Sequence, residues 1–206
     1  CRGHGISDSY QREAVTRLLS RLGWHKVVFR PDGGEALMQV ADKVKPKRSE
    51  PTIVHPPPEE SPQSIGSAEG VHKQTFGKLR THRSDLERKL GEPVGPKHKL
   101  VSWLVRHIPW CRNKFQIGKD GRTAHMRIYG KEYTHGLLQF GEICIGKKKA
   151  KELNAAKLDS RGIKGVWVGR SDDNNEHILL TPVGVKTART VTRLPEPDQF
   201  DRHFVA

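Results

Sequence analysis

Two carboxylates lie where they could bind a common metal ion. Asp32 follows the short apolar run Val27–Phe29, which is typical of a strand, and side chains at the C-terminal ends of strands often form ligand sites. Glu69 lies in the first turn of a long predicted helix. The 36 residues between the two acids contain a predicted helix, strand and loop, so the chain could bring Glu69 back to the sheet edge. Carboxylates that close would repel unless they shared a divalent cation, so the spacing makes Asp32 and Glu69 candidate metal ligands.

Each acid also has an ordinary structural explanation. An Asp before two glycines is a common turn sequence. An acid in the first turn of a helix complements the positive end of the helix dipole. The spacing of Asp32 and Glu69 alone leaves both explanations open.

Basic residues follow Glu69 along the same predicted helix. Lys73 and Arg80 come four and eleven residues after Glu69, so helical periodicity places the three on one side. A phosphate backbone along this side could be held by the cations while the acid and its metal addressed one phosphorus. The predicted nucleic-acid contacts on this helix are Lys73, Lys78, Arg80 and Arg83. The alternative is a solvated amphipathic helix in which Glu69 and Lys73 form an i, i+4 pair.

The positive charge of the chain is concentrated in its central part. The 206 residues carry 37 Lys and Arg against 23 Asp and Glu, a formal net charge of +14. Residues 70–149 alone hold 18 basic and 6 acidic side chains, a net +12. This predicts a polyanion partner whose affinity falls with salt, with a basic surface kept for solubility as the alternative. The run Lys147, Lys148 and Lys149 is predicted as a phosphate clamp, with a solvated turn as its alternative.

Other kinds of site find little support in the composition. No run of about 18 apolar residues exists, so we expect no membrane span. Cys1, Cys111 and Cys144 lie far apart without a CxxC pair, which argues against a zinc knuckle or a disulfide framework. We expect Cys111 and Cys144 to be small buried apolar groups rather than nucleophiles.

An α/β arrangement is predicted for the first part of the chain. Apolar periodicity, capping residues, glycines and β-branched runs give the order helix, strand, helix, strand, loop, helix. These segments are residues 7–23, 27–29, 34–44, 52–55, 56–66 and 67–90. A further helix is predicted over His98–Gln116, and Pro109 inside it is expected to interrupt or kink it.

From Leu137 onward the pattern changes to short β-type runs separated by turn residues. The runs are "LLQFGEICIG", "KGVWVGRS", "EHILLTP" and "KTARTVTRL". Several short strands at this spacing predict a small barrel or sandwich. Residues 195–206 are predicted to be a linker or tail.

Four motifs, in order, resemble the integrase of copia-type retrotransposons. "VVFRPDGGEAL" resembles the strand and turn that carry the second catalytic Asp, and "SPQSIGSAEGVHKQ" resembles the segment that delivers the third acid. "WLVRHIPWCRNKFQIGKDGRTAHMRIYGKEY" resembles the closing helix and the signature after it. The segment from "FGEICI" through "KLDSRGIKGVWVGRS" to "TVTRL" is similar to the SH3-like segment that follows the integrase core. Together these motifs cover roughly residues 10–194.

The resemblance implies a truncated ribonuclease-H-like core at residues 1–135 and a small SH3-like β-barrel at residues 137–194. In that family three carboxylates hold two Mg²⁺ or Mn²⁺ ions that catalyse strand transfer into DNA. Asp32 matches the second acid and Glu69 the third, and Lys73 and Arg80 would contact the backbone. The expected partner is double-stranded DNA, both element ends and target, in the nucleus, with possible self-association of a full-length protein.

The sequence also departs from the family. No residue matches the first acid, Ile65 stands where the family has Asn, and Gly70 stands where it has Arg. We therefore expect part of a longer polyprotein that binds DNA and is inactive in strand transfer by itself. The alternatives are a non-catalytic basic nucleic-acid-binding module and an adaptor whose barrel binds protein.

Overall fold

The chain forms a mixed α/β structure of two compact units. The computed structural model describes residues 9–31, 34–55, 66–150 and 160–205. The units are Cys1–Gln74 and Thr75–Ala206, so the division falls within helix α3 (Gly66–Leu90). The sequence predicts a division near residue 136 instead. The difference arises because Leu86 and Leu100, from two helices, share a buried core with Ile143 of the following sheet.

A parallel β–α–β motif forms most of the first unit. Helix α1 (Ser9–Leu22) precedes the motif, which consists of β1 (Val27–Phe29), α2 (Glu35–Val44) and β2 (Thr52–Val54). The two strands pair in parallel, with Val27 opposite Thr52. Parallel neighbours need a crossover connection, which α2 supplies. Leu19, Val27 and Val44 form the buried core of this small unit.

Helices and a sheet form the second unit. The helices before the sheet are the remainder of α3, α4 (Lys99–Phe115) and α5 (Ala124–Tyr129). Helix α3 ends at Gly91, whose φ of +70° suits glycine. The ring of His98 accepts a hydrogen bond from the Leu100 amide and caps α4. Thr123 caps α5 in the same way by accepting from Met126.

The sheet of the second unit has five antiparallel strands. They are β3 (Ile143–Lys147), β4 (Gly162–Arg170), β5 (His177–Thr181), β6 (Gly184–Ala188) and β7 (Val191–Arg193). Their order in the sheet is β6-β5-β4-β3-β7, so four strands form a meander and the fifth returns to pair with the first. The register of β4 against β5 shifts between Trp167 and Gly169, which bends this long strand.

Both faces of this sheet are buried. Ile143 and Val166 pack with residues of α3 and α4 in the larger core cluster. Cys144 and Trp167, which alternate with them along the strands, pack with Leu179 in a second cluster. The helices therefore cover one face, and on the other Leu138, Ile163 and Val191 pack against the second cluster.

The elements named from periodicity agree closely with the observed ones, with three differences. Pro109 lies inside a continuous α4, so the predicted interruption is wrong. Pro109 is exposed, and so is Val105, one turn earlier, whose carbonyl loses its helical partner. The run "KTARTVTRL" forms two strands, β6 and β7, rather than one. Helix α5 was not predicted as a separate element.

The segment predicted as a linker or tail contains ordered structure. It holds a 3₁₀ turn at Glu196–Asp198 and a short helix, α6 (Arg202–Val205). Phe200 and Phe204 pack against the larger core cluster, which anchors the segment. Within the described ranges no helix is both long and apolar enough to cross a membrane.

Candidate nucleic-acid interface

The two predicted metal ligands differ in what the structure describes. Asp32 lies outside the described residues, so its distance from Glu69 stays a prediction. Glu69 lies in the first turn of α3 with an exposed side chain. A carboxylate oxygen is a ligand that Mg²⁺ accepts, but the described residues hold no group of three His, Cys, Asp or Glu that could bind a metal.

The predicted cations of α3 have different surroundings. Lys73 is exposed and belongs to the first unit, whereas Lys78 and Arg80 are exposed in the second. Arg83 pairs with Glu87 at 3.0 Å, one turn further on. Glu87 also accepts the Val94 amide at 2.9 Å, and this bond, followed by Arg83, lowers the pKa of Glu87. Arg83 thus has a carboxylate partner on α3 itself.

The three lysines at the end of β3 and just after it also differ in their roles. Lys149 Nζ donates to Glu176 Oε2 at 2.7 Å and to Thr187 Oγ1 at 2.8 Å. This lysine is the first cause of the lowered pKa of Glu176. Lys147 is exposed at the end of β3, and Lys148 is half-buried. Lys149 therefore stabilises the sheet, and Lys147 is the more available of the three.

A basic pair not predicted from the sequence forms between α3 and α4. Lys78 Nζ donates to Gln116 Oε1 at 3.0 Å, and Arg112 Nε donates to the same oxygen at 3.2 Å. We call Lys78 and Arg112 the cation pair, and Gln116 is the acceptor that they share. In the described part of the chain neither cation forms an ion pair with a carboxylate. Two positive groups therefore share one neutral oxygen.

The electrostatic surroundings of this pair are positive. Helix α4 carries four basic residues and no acid. On α3, Asp85 pairs with both Arg88, at 2.7 Å, and Lys89, at 2.6 Å. The pKa of His82 is lowered first by burial and further by Lys78 and Lys89, so its ring stays neutral near pH 7.

A groove of about 330 Å³ lies beside the cation pair and its acceptor. Its walls include Ile108, Cys111 and Phe115 of α4 and Thr81 of α3. Burial raises the pKa of the Cys111 thiol to about 11, so the groove carries no thiolate at neutral pH. The groove thus combines an apolar floor with a cationic rim.

Aromatic rings pack beyond the C-terminal end of α4. Lys114 Nζ lies 4.8 Å from the ring centre of Tyr133 and 5.4 Å from that of Tyr129, and 2.8 Å from His125 Nδ1. Phe115 contacts Tyr133 edge to face, with ring centres 5.6 Å apart. These contacts hold α5 and the chain after it against α4. Lys114 therefore already has contact partners within the protein.

Sequence reasoning missed Arg112 and Gln116. Their i, i+4 spacing, at the end of a helix that contains no acid, could have predicted that the two side chains contact each other. Their proximity to Lys78 was not readable from the sequence, because 38 residues separate Lys78 and Gln116.

The structural class is a β–α–β unit followed by a helix-covered five-stranded antiparallel sheet, with a basic groove in the second unit. Comparison with known families, with curated proteins and with solved structures found no significant match.

Proposed function

We propose that this chain is part of the integrase region of a copia-type retrotransposon polyprotein and that it binds double-stranded DNA through its second unit. The observation that carries the DNA-binding proposal is the cation pair, Lys78 and Arg112, which share the single neutral acceptor Gln116. The polyprotein assignment rests on the resemblance of four motifs in order.

The physical argument concerns charge compensation. Two cations close together repel, and an amide oxygen offsets that repulsion only weakly. A phosphate diester carries a full negative charge and accepts charge-assisted hydrogen bonds, which are about twice as strong as neutral ones. Binding a DNA phosphate would thus replace a poor acceptor with a better one, and the released condensed counterions would add to the affinity.

The observed architecture is compatible with the resemblance. The parallel pairing of β1 with β2 agrees with an α/β core. A meander of four strands closed by a fifth that pairs with the first is a strand order that small SH3-like barrels also use. The finer assignments, ribonuclease-H-like for the first part and SH3-like for the sheet, belong to this proposal.

Catalysis is proposed for a complete active site only. Asp32 and Glu69 match the second and third acids of the family, which would hold Mg²⁺ or Mn²⁺, and the bound ions would activate the attacking oxygen and stabilise the leaving one. This sequence offers no match for the first acid. We therefore propose that the chain binds DNA without joining strands.

Incubation of the chain with a labelled DNA duplex and a target plasmid, in Mn²⁺ or Mg²⁺, tests both parts of the proposal. We expect a mobility-shifted duplex and no covalently joined product. The shift should be unchanged by EDTA, because the cations alone hold the phosphates.

Two results would count against the proposal in different ways. Joined product that disappears in Glu69→Gln would show an active site that this account denies. A duplex that stays unbound at low salt would remove the DNA-binding function itself.

A further inference from the structure

The groove beside the cation pair differs from a simple phosphate contact because it also offers an apolar surface. A flat basic face would be enough to hold the outside of a duplex. Here the rim residues Lys78 and Arg112 border a concave space floored by Ile108 and Phe115. Its volume, about 330 Å³, is at the lower end of the range for small-molecule sites, about 300–1,000 Å³.

An exposed ring forms part of this groove. Phe115 is 44% exposed, yet edge-to-face contacts with Trp110, at 6.2 Å, and Tyr133, at 5.6 Å, fix its orientation. Aromatic rings held in this way bind unpaired bases by stacking and tolerate any sequence. Stacking requires a base that is not already stacked in a duplex.

None of the described residues that line the groove carries a negative charge that would oppose an anion. The Cys111 thiol is protonated, the His82 ring is neutral near pH 7 and the remaining side chains are uncharged or cationic. Among the described residues, the acceptor that both cations contact is the Gln116 amide, whose side chain can rotate away when a stronger acceptor arrives.

We propose that this groove binds one unpaired nucleotide of DNA, with its phosphate between Lys78 and Arg112 and its base against Phe115. The proposal rests on the proposed DNA-binding function and deepens it by naming the form of DNA. A base within a duplex is already stacked and paired, whereas an unpaired base is free to stack on Phe115, so the groove selects DNA that carries a single-stranded extension or an extruded base over an uninterrupted duplex.

Fluorescence anisotropy with two probes tests the proposal. One probe is a blunt duplex of 20 base pairs, and the other is the same duplex with a three-nucleotide single-stranded extension. We expect the full chain to bind the extended probe roughly tenfold more tightly, since stacking of one base is worth about that much.

Matched variants locate the preference. Phe115→Leu should remove most of it, and Phe115→Tyr, which keeps a ring, should retain it. The double variant Lys78→Gln and Arg112→Gln should weaken binding of both probes and also reduce the preference. The control Arg161→Gln and Arg189→Gln changes two exposed cations elsewhere and should leave the preference intact. Thermal unfolding of each variant shows whether it is folded.

The outcomes separate this proposal from the proposed function. Equal affinity for the two probes, or a preference that survives in Phe115→Leu, overturns the nucleotide site while duplex binding stands. If neither probe binds, a titration of the chain with thymidine monophosphate, followed by NMR, tests whether the groove binds a nucleotide. Shifts at the Phe115 and Gln116 amides that are absent with inorganic phosphate support a nucleotide site, and unchanged spectra overturn it.

Discussion

Between pH 7 and pH 5 the second unit is expected to lose about 4 kcal/mol of its free energy of unfolding, because two buried histidines must gain protons when the chain unfolds. They are His107 of α4 and His177 of β5, and each is only 5% exposed. Each contributes up to about 2 kcal/mol over this interval.

The environment of each ring explains its lowered pKa. His107 lies against Phe140 and Trp167, with ring centres 5.2 and 5.4 Å away. Burial, then His82 and Arg106, lower its pKa to about 4. His177 Nδ1 accepts a hydrogen bond from Trp167 Nε1 at 3.0 Å, and an indole nitrogen can only donate. Burial, then Arg170, lower the pKa of His177 to about 4.

The direction of the pH effect follows from these values. Between the unfolded pKa near 6.5 and the folded pKa near 4, the unfolded chain binds more protons than the folded one. Stability from the two rings is therefore complete above pH 6.5 and is lost as the pH falls toward 4. Below about pH 4 these two groups add no further loss.

Urea unfolding at pH 7 and pH 5, followed by tryptophan fluorescence, measures this change. A Trp24→Phe background restricts the signal to the second unit, since the other tryptophans lie there. In His177→Asn an amide oxygen can replace the Nδ1 acceptor, and the loss should fall to about half. The exposed His135→Asn is the control and should keep the full loss. Equal stability at the two pH values would refute the explanation.

Arg193→Gln is expected to destabilise the second unit by about 3 kcal/mol, because it leaves a buried carboxylate without its cation. Glu142 is 0% exposed. Its Oε1 and Oε2 accept from Arg193 Nε at 2.7 Å and Nη2 at 2.9 Å, and Oε2 also accepts the Gln139 amide at 3.0 Å. The pair connects the start of β3 to β7. The Arg193 side chain is 52% exposed, so water can reach the vacated place and keeps the cost at the lower end of the range for buried pairs.

Arg189→Gln provides the matched control. Arg189 also faces a buried glutamate, Glu176, but at 3.7 Å and with its own side chain 89% exposed. Glu176 keeps Lys149 at 2.7 Å, so we expect a loss below about 0.5 kcal/mol. Urea midpoints of the two variants give the comparison. Adding Glu142→Gln to Arg193→Gln should recover part of the loss, since a neutral amide is cheaper to bury than a charge. Equal losses for Arg193→Gln and Arg189→Gln would show that the buried pair does not stabilise the fold.

Most elements of the fold follow from local sequence signals. Helix α1 ends at Gly23 and α3 at Gly91, both with positive φ, as the glycines predict. Short β-branched runs mark β1 and β2, and alternating apolar residues mark the strands of the second unit. Helix α5 was missed because it has six residues, too few for periodicity, although Thr123 and Gly130 are its caps.

Pairings over long sequence separations were not predictable. Pro109 stays within α4 because its exposed side of the helix tolerates the lost hydrogen bond, a matter of orientation in the fold. Lys149 forms an ion pair with Glu176, 27 residues away in the sequence. The lysine run predicted as a phosphate clamp therefore contributes one ion pair to the fold. The charge excess predicted a polyanion partner, but the convergence of Lys78 and Arg112 on Gln116 depends on how α3 and α4 pack.

The salt dependence of duplex binding by the cation-pair variant tests the central proposal most directly. Affinity for a blunt duplex, measured by anisotropy from 50 to 200 mM salt, gives a log–log slope of about −0.9 for each phosphate contact. For Lys78→Gln and Arg112→Gln we predict a slope shallower by about 2 than that of the unmodified chain. The charge-matched Arg161→Gln and Arg189→Gln should change it by less than about 0.5. Equal changes in both double variants would contradict a DNA interface at this groove.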